Sequence, residues 1–276
     1  LQMEALPFGL FSVIIVLYSY IDTVMLSFLC TDADVGWYNA AYKIYEGLTV
    51  FPSIVCAVLY PRLSQLFISN KRAHFVLSLR GAKYMFIIAF PLWICGTILS
   101  GNIIHLLFGK EFHNSTVALE ILLLGIIFVF QTWLFYTFLN SIDKQKIVMY
   151  ISLIGLGVNI VLNSILIPKY NFEGAAITTV LSEIVVFTIL YLYLYKSYHK
   201  FPLLKLSLKP LLASLITGAF LWKFSTLFLI PSLVAVFFLY VVLLLCFKTF
   251  DRQELNLINR LLRRKSKIIE EKIDVT

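Results

Sequence analysis

Four charged side chains sit inside long apolar runs of this 276-residue chain: Asp22, Lys43, Glu46 and Glu183. A charge at mid-bilayer costs roughly 3 kcal/mol on insertion scales, so such a residue faces a cavity or a partner. Asp22 has Tyr18 one helical turn before it on the same face and Ser19 nearby. That setting suits a proton or cation site, or the partner of a lysine. Lys43 and Glu46 are three apart, so they either neutralise each other across one turn or line a water-filled lumen. Glu183 follows Ser182, has no Lys or Arg at helical spacing in the sequence, and is a further cavity candidate. Asn159 and Asn163 recur four apart after Gly155 and Gly157, a pattern whose simplest role is close helix packing with interhelical amide bonds.

Enzyme chemistry finds little to work with. None of His74, His105, His113 and His199 has a carboxylate at metal-ligand spacing, and the chain has no HExxH, no GxSxG elbow and no Walker loop. No catalytic residue, metal or cofactor is therefore expected. Cys30, Cys56, Cys95 and Cys246 are widely spaced in or beside apolar runs, which suits apolar fillers better than disulfides or zinc ligands.

The elements that must position these residues are membrane helices. Hydrophobic residues make up 60% of the chain, charged ones only 14%, and mean hydropathy is +0.89; a soluble domain carries roughly a quarter charged residues. A span needs about 20 residues to cross a hydrocarbon core of about 30 Å. Eight such runs occur, at Leu6–Cys30, Trp37–Tyr60, Tyr84–Leu107, Thr116–Leu139, Ile147–Ile167, Gly174–Tyr195, Leu208–Ser225 and Pro231–Phe250. Strands of a membrane barrel would be about ten residues long and strictly alternating. The prediction is an all-α, polytopic helical bundle.

Nineteen of the 23 Lys and Arg fall in alternate loops: 61–83, 140–146, 196–209 and the tail from 248. The opposite loops hold Lys110 and Lys169. The positive-inside rule makes the former group cytoplasmic, and both ends of the chain with it. The net charge of +8 is thus spread along one membrane face, which suits an anionic leaflet rather than nucleic acid. Leu63, Leu66 and Phe67, then Phe75, Val76 and Leu79, suggest that 61–83 is a helix lying on the inner leaflet or extending the third span. Because an apolar run begins almost at Leu1, further helices are expected ahead of it.

Several stretches together resemble the polysaccharide-repeat flippases, the Wzx-type transporters of the MATE-like superfamily. In 20–67 the likeness rests on the intramembrane Asp22, on Val35-Gly36-x-Tyr38 after an acidic loop, on Ala41-Tyr42-Lys43, and on Pro61 closing the helix. Phe108-Gly109-x-Glu111-Phe112 resembles the family's outer loop, and 159–183 a later helix-to-helix passage. Asn171 departs from it, standing where the family usually has Gly; Asn tolerates a left-handed turn better than other residues. The resemblance implies a six-helix MATE-like C-terminal lobe at 1–200, two accessory helices at 201–250 and a basic cytoplasmic tail at 251–276.

It further implies a flippase moving polyprenyl-pyrophosphate-linked oligosaccharide across the cytoplasmic membrane by alternating access, for surface polysaccharide or O-antigen synthesis. Membrane lipids and the polysaccharide polymerase or chain-length machinery would be its partners. Lys43 would meet pyrophosphate or acidic sugars; Tyr18, Tyr38, Tyr42 and Tyr45 would stack on sugar faces; Asp22, Glu46 or Glu183 would couple an ion gradient. A drug-cation antiporter of the same fold stays open, since its cavity would be acidic where a flippase's would be cationic. A membrane glycosyltransferase or polymerase would need a large outer loop with paired acids, which the short outer loops do not provide.

Overall fold

A capping box opens the second helix. Thr31 accepts from the Asp34 backbone N–H at 3.3 Å, while the Asp34 carboxylate accepts from the Thr31 N–H at 3.2 Å and its hydroxyl at 2.6 Å. The supposed acidic loop is therefore the first turn of a helix, where Asp32 and Asp34 complement the macrodipole. That helix starts at Asp32, not at Trp37.

The computed structural model describes residues 20–198, 200–224, 229–251 and 254. The helices are α1 (Tyr20–Leu29), α2 (Asp32–Leu48), α3 (Val50–Ser69), α4 (Lys71–Phe108), α5 (Ser115–Asn140), α6 (Gln145–Ser197), α7 (Leu203–Phe224) and α8 (Leu229–Cys246). No strand occurs among the described residues. Tyr18 and most of the predicted first span, as well as nearly all of the 251–276 tail, lie outside them.

One expectation about the 61–83 segment changes. Pro61 does not close a helix: it lies inside α3, which runs on to Ser69. Proline removes one intrahelical donor, and a carbonyl so freed beside a cavity can be hydrated. The segment is also helical throughout except at Asn70, and of its two expected forms it takes the second: residues 71–83 belong to α4 and extend the third span. α3 and α4 meet across Asn70 alone, whose backbone is extended (φ −159°, ψ 92°) and whose side chain caps Ala73 N–H at 3.0 Å. α4 then continues for 38 residues, about 57 Å at 1.5 Å per residue, roughly twice the hydrocarbon thickness.

By its hydrogen bonding α6 is one run of 53 residues, yet it doubles back. Asn171 has φ 48° and ψ −131°. Asn163 and Thr179, sixteen positions apart and about 24 Å along a straight helix, both bind Asp22. A Cβ on Gly174 would run into the Leu166 carbonyl, so only glycine lets the returning arm start so close to the outgoing one. The two arms, 145–170 and 172–197, correspond to the fifth and sixth predicted spans. With the arms counted separately, and with α2 and α3 counted together as the one apolar stretch Asp32–Ser69 that contains the predicted second span, the order of spans matches the eight expected, although α1 is described only over Tyr20–Leu29.

α5 is the axial helix, buried along most of its length. One apolar cluster joins Leu26, Tyr38 and Ala41 to Leu119, Leu122, Leu123 and Ile126; a second joins Phe135, Phe138 and Leu139 to Val148, Leu190 and Phe201. Polar glue reinforces this packing. Gln131 donates to the Ala82 carbonyl at 3.1 Å, and Ser100 donates to Glu120 at 2.8 Å, both between α4 and α5.

The chain divides into two compact units, Leu1–Leu211 and Leu212–Thr276, with the boundary inside α7. In the second unit Ala213, Thr217 and Leu221 share one buried face of α7, and Val236, Tyr240 and Leu244 share one of α8. Everything below concerns the first unit.

Candidate functional site

Two polar features occupy the interior of the bundle. The first surrounds Asp22, which is only 3% exposed. Its Oδ2 accepts from Tyr38 Oη at 2.8 Å and from Thr179 Oγ1 at 2.8 Å, and its Oδ1 accepts from Asn163 Nδ2. Asn163 Nδ2 also donates to Asn159 Oδ1 at 3.0 Å. Thus α1, α2 and both arms of α6 converge on one carboxylate through neutral donors. Asn163 Oδ1 is buried there without a hydrogen-bond partner. Asn159 and Asn163 do more than pack helices, and Tyr38 serves this carboxylate rather than an open surface.

The second feature is a cavity of about 860 Å³ bounded by α2, α3, α5 and both arms of α6. Tyr42, Tyr45, Glu46, Thr49, Ser53 and Tyr60 form its wall along α2 and α3 at helical spacing. From Tyr42 to Tyr60 the wall extends about 27 Å at 1.5 Å per residue. α5 contributes Thr132, Trp133, Tyr136 and Asn140; the arms of α6 contribute Gln145, Ser152 and Glu183. Asn140 and Gln145 flank the short turn between α5 and α6, so the cavity reaches that end of the bundle.

A ladder of tyrosines links the two. Tyr38 stacks on Tyr42 with centroids 5.5 Å apart, and Tyr42 packs against Tyr45 at 5.8 Å. The ring that holds Asp22 therefore touches the ring that opens the cavity wall.

The predicted residues separate accordingly. Tyr42, Tyr45, Glu46 and Glu183 line the cavity, and Asp22 sits in the buried node. Lys43 is exposed on α2, outside the lining, and among the described residues no ion pair joins it to Glu46. Its side chain shares a stripe with Gly36, Asn39 and Gly47 on another face of the helix. Sequence reasoning missed Tyr60, Thr132, Trp133, Tyr136 and Asn140. Their signal was available: positions 132, 133, 136 and 140 form one polar, aromatic stripe at helical period in an otherwise apolar span. Cys56, buried in the apolar cluster as a filler should be, also borders the cavity.

The comparisons with known proteins agree with this architecture. A probable flippase, AglR, from Haloferax volcanii is 30% identical over 170 residues, which are 60% of this chain and 35% of the relative. A putative O-antigen transporter from Shigella flexneri is 27% identical over 165 residues, 58% of this chain and 38% of the relative. A solved structure of the lipid II flippase MurJ in an inward closed conformation superposes with a TM-score of 0.75 at 21% identity, covering 88% of this chain and 53% of that one. The chain spans little more than a third of the length of these two relatives and about half of the solved one. The family described as lipid II flippase MurJ matches residues 3–247. This multi-pass membrane chain belongs to the MurJ family of flippases.

Proposed function

We propose that this chain forms part of a flippase that moves a polyprenyl-diphosphate-linked oligosaccharide from the cytoplasmic to the outer leaflet, for surface polysaccharide synthesis. The observation that carries the reading is the cavity: a polar, tyrosine-rich chamber of about 860 Å³ inside a membrane bundle of this family. Hydroxyls, amides and aromatic faces suit a sugar headgroup, while exposed apolar helix faces suit a lipid tail. With positive-inside orientation, the α5–α6 turn is cytoplasmic, so the cavity opens toward the leaflet where the cargo is built.

Lys43, exposed beside the cavity wall, is the cation offered to the diphosphate. The Asp22 node couples an ion to the cycle: a buried carboxylate and an orphaned amide oxygen ask for a proton or a small cation. Membrane lipids surround the chain, and the polymerase or chain-length machinery would receive its product. Transport needs no catalytic residue.

A second reading has one observation in its favour. Both charged residues in the cavity wall are acids, Glu46 and Glu183, as a MATE-type exporter of organic cations would require. Deleting the gene for the full-length protein in its host decides between them. Loss of surface glycan with unchanged drug sensitivity supports the flippase; the reverse result supports the exporter. Restoring the gene with Lys43→Ala is expected to leave export absent at normal protein level, and normal surface glycan would remove the diphosphate role of Lys43.

A further inference from the structure

We infer that the seam between α4 and α5 holds a small monovalent cation, such as sodium, bound by Glu120, Ser100, Thr97 and Thr116. None of the four lines the cavity or touches Asp22, so the site is separate from both and does not rest on the flippase reading.

Charge is the first argument. Glu120 is the only Asp, Glu, Lys or Arg in 84–109 and 115–142, the apolar lengths of α4 and α5. It stands five residues into α5, and Ser100 stands eight residues before the end of α4. At 1.5 Å per residue these depths are about 7.5 and 12 Å. Among the described residues no Lys or Arg pairs with Glu120. A carboxylate in such a place asks for an opposite charge. One negative charge matches one monovalent ion, whereas a divalent ion would leave a net charge in the seam.

Hydrogen counting is the second, independent argument. Ser100 is only 2% exposed, and its Oγ lies 2.8 Å from Glu120 Oε1 and 2.9 Å from the Thr97 carbonyl. Its hydroxyl has one hydrogen for these two acceptors. Thr97 Oγ1 and Thr116 Oγ1 are buried with no hydrogen-bond partner, although buried hydroxyls are nearly always paired. A cation at the Glu120 carboxylate answers both shortages. It frees the Ser100 hydrogen for the Thr97 carbonyl, and it draws on the lone pairs of Ser100 and of the two threonines. A proton on Glu120 would serve the Ser100 oxygen alone.

The third argument is the register of the two helices. Thr97 and Ser100 are three apart on α4, and Thr116 and Glu120 are four apart on α5, so each pair shares a face. Ser100 bonds Glu120, and a Cβ on Gly101 would stand 3.8 Å from Thr116 Cγ2. One turn to the other side, a Cβ on Gly96 would meet Leu123 Cδ1 at 3.0 Å. The helices thus approach closely on both sides of the carboxylate, and Leu123 closes the inner side with an apolar cap. Hard cations bind oxygen ligands at about 2.0–2.6 Å, a spacing that oxygens drawn from two closely packed helices can meet.

Sodium binding tests this directly. The full-length protein carrying Asp22→Asn, which removes the carboxylate of the other node, would be titrated in lipid nanodiscs with radioactive sodium, choline holding the ionic strength constant. Saturable binding is expected, and adding Glu120→Gln should remove one bound sodium per protein. Thr97→Val keeps the shape of the seam and should weaken the same site at least about tenfold. Sodium should also raise the apparent unfolding midpoint of the Asp22→Asn protein, and this rise should be lost with Glu120→Gln. Absence of saturable sodium binding to Asp22→Asn overturns the inference, as does the same stoichiometry and affinity after Glu120→Gln. If Glu120→Gln does not stay monodisperse, Thr97→Val decides: sodium affinity equal to that of the Asp22→Asn parent overturns the site.

Discussion

Asp22 is the most informative residue in the chain because its burial demands an explanation. A carboxylate 3% exposed within a membrane bundle is held by three neutral donors, and the Asn163 amide oxygen beside it is unpaired. Such a site changes energy when a proton or cation arrives, and Tyr38, which binds Asp22, stacks on Tyr42 at the cavity wall. Asp22→Asn preserves shape and most hydrogen bonds, so the protein should fold and should lose the dependence of transport on an imposed ion gradient. Proteoliposomes of the full-length protein under separate proton and sodium gradients provide the measurement; full gradient-dependent transport by the variant would make Asp22 structural. Asp22→Ala strands three donors and should lower stability by about 2–4 kcal/mol. Asp22 itself was legible in the sequence, because a charge in an apolar run is costly wherever it lies. Its partners Asn163 and Thr179 were not, being 141 and 157 positions away and of types that usually serve packing. Lys43 and Glu46 show the opposite case: spacing allowed a pair, but spacing alone does not bring two exposed side chains together.

Among the elements, the hairpin of α6 has the strictest local requirements. Asn171 holds a positive φ that costs an ordinary L-residue about 1–2 kcal/mol, and its side chain accepts only a long contact from Cys30 Sγ at 3.9 Å. Asn171→Gly should therefore raise stability by about 0.5–1 kcal/mol, and Asn171→Val should lower it by about 1–3 kcal/mol. Gly174→Val should cost more, above about 3 kcal/mol, because the obstacle is backbone and cannot swing away. Apparent unfolding midpoints in detergent would rank the three; a Gly174→Val protein as stable as the parent would contradict the close approach of the arms. Helix existence was legible here, since twenty apolar residues have few other solutions in lipid. Helix ends were less so. The Thr31–Asp34 box moved one start to Asp32, and Pro61 failed to stop α3, because neighbouring helices and cavity water can meet the hydrogen-bonding needs that would end a helix in isolation.

For the whole molecule, orientation determines what the cavity can do. We propose, from the concentration of basic residues in alternate inter-span stretches, that the α3–α4 junction and the α5–α6 turn share the cytoplasmic side. The same choice puts the Gly109–Phe112 turn and the Asn171 hairpin outside, the Asp22 node in the outer half, and the cavity mouth at Asn140 and Gln145 within. A mouth on the outer side would instead receive cargo from the wrong leaflet. Single cysteines in a cysteine-free full-length protein test this directly. Asn70→Cys and Asp143→Cys, both in exposed positions, should react with an impermeant maleimide only after cells are opened. Lys110→Cys should react in intact cells, with labelling at least about tenfold above that of the other two. Inverted labelling would turn the bundle over, and the cavity would then be an exit rather than an entrance. The polar, aromatic chemistry of its wall would survive that reversal, because Tyr45, Thr132, Glu46 and Glu183 line the cavity whichever way the bundle faces; the proposed direction of transport would not.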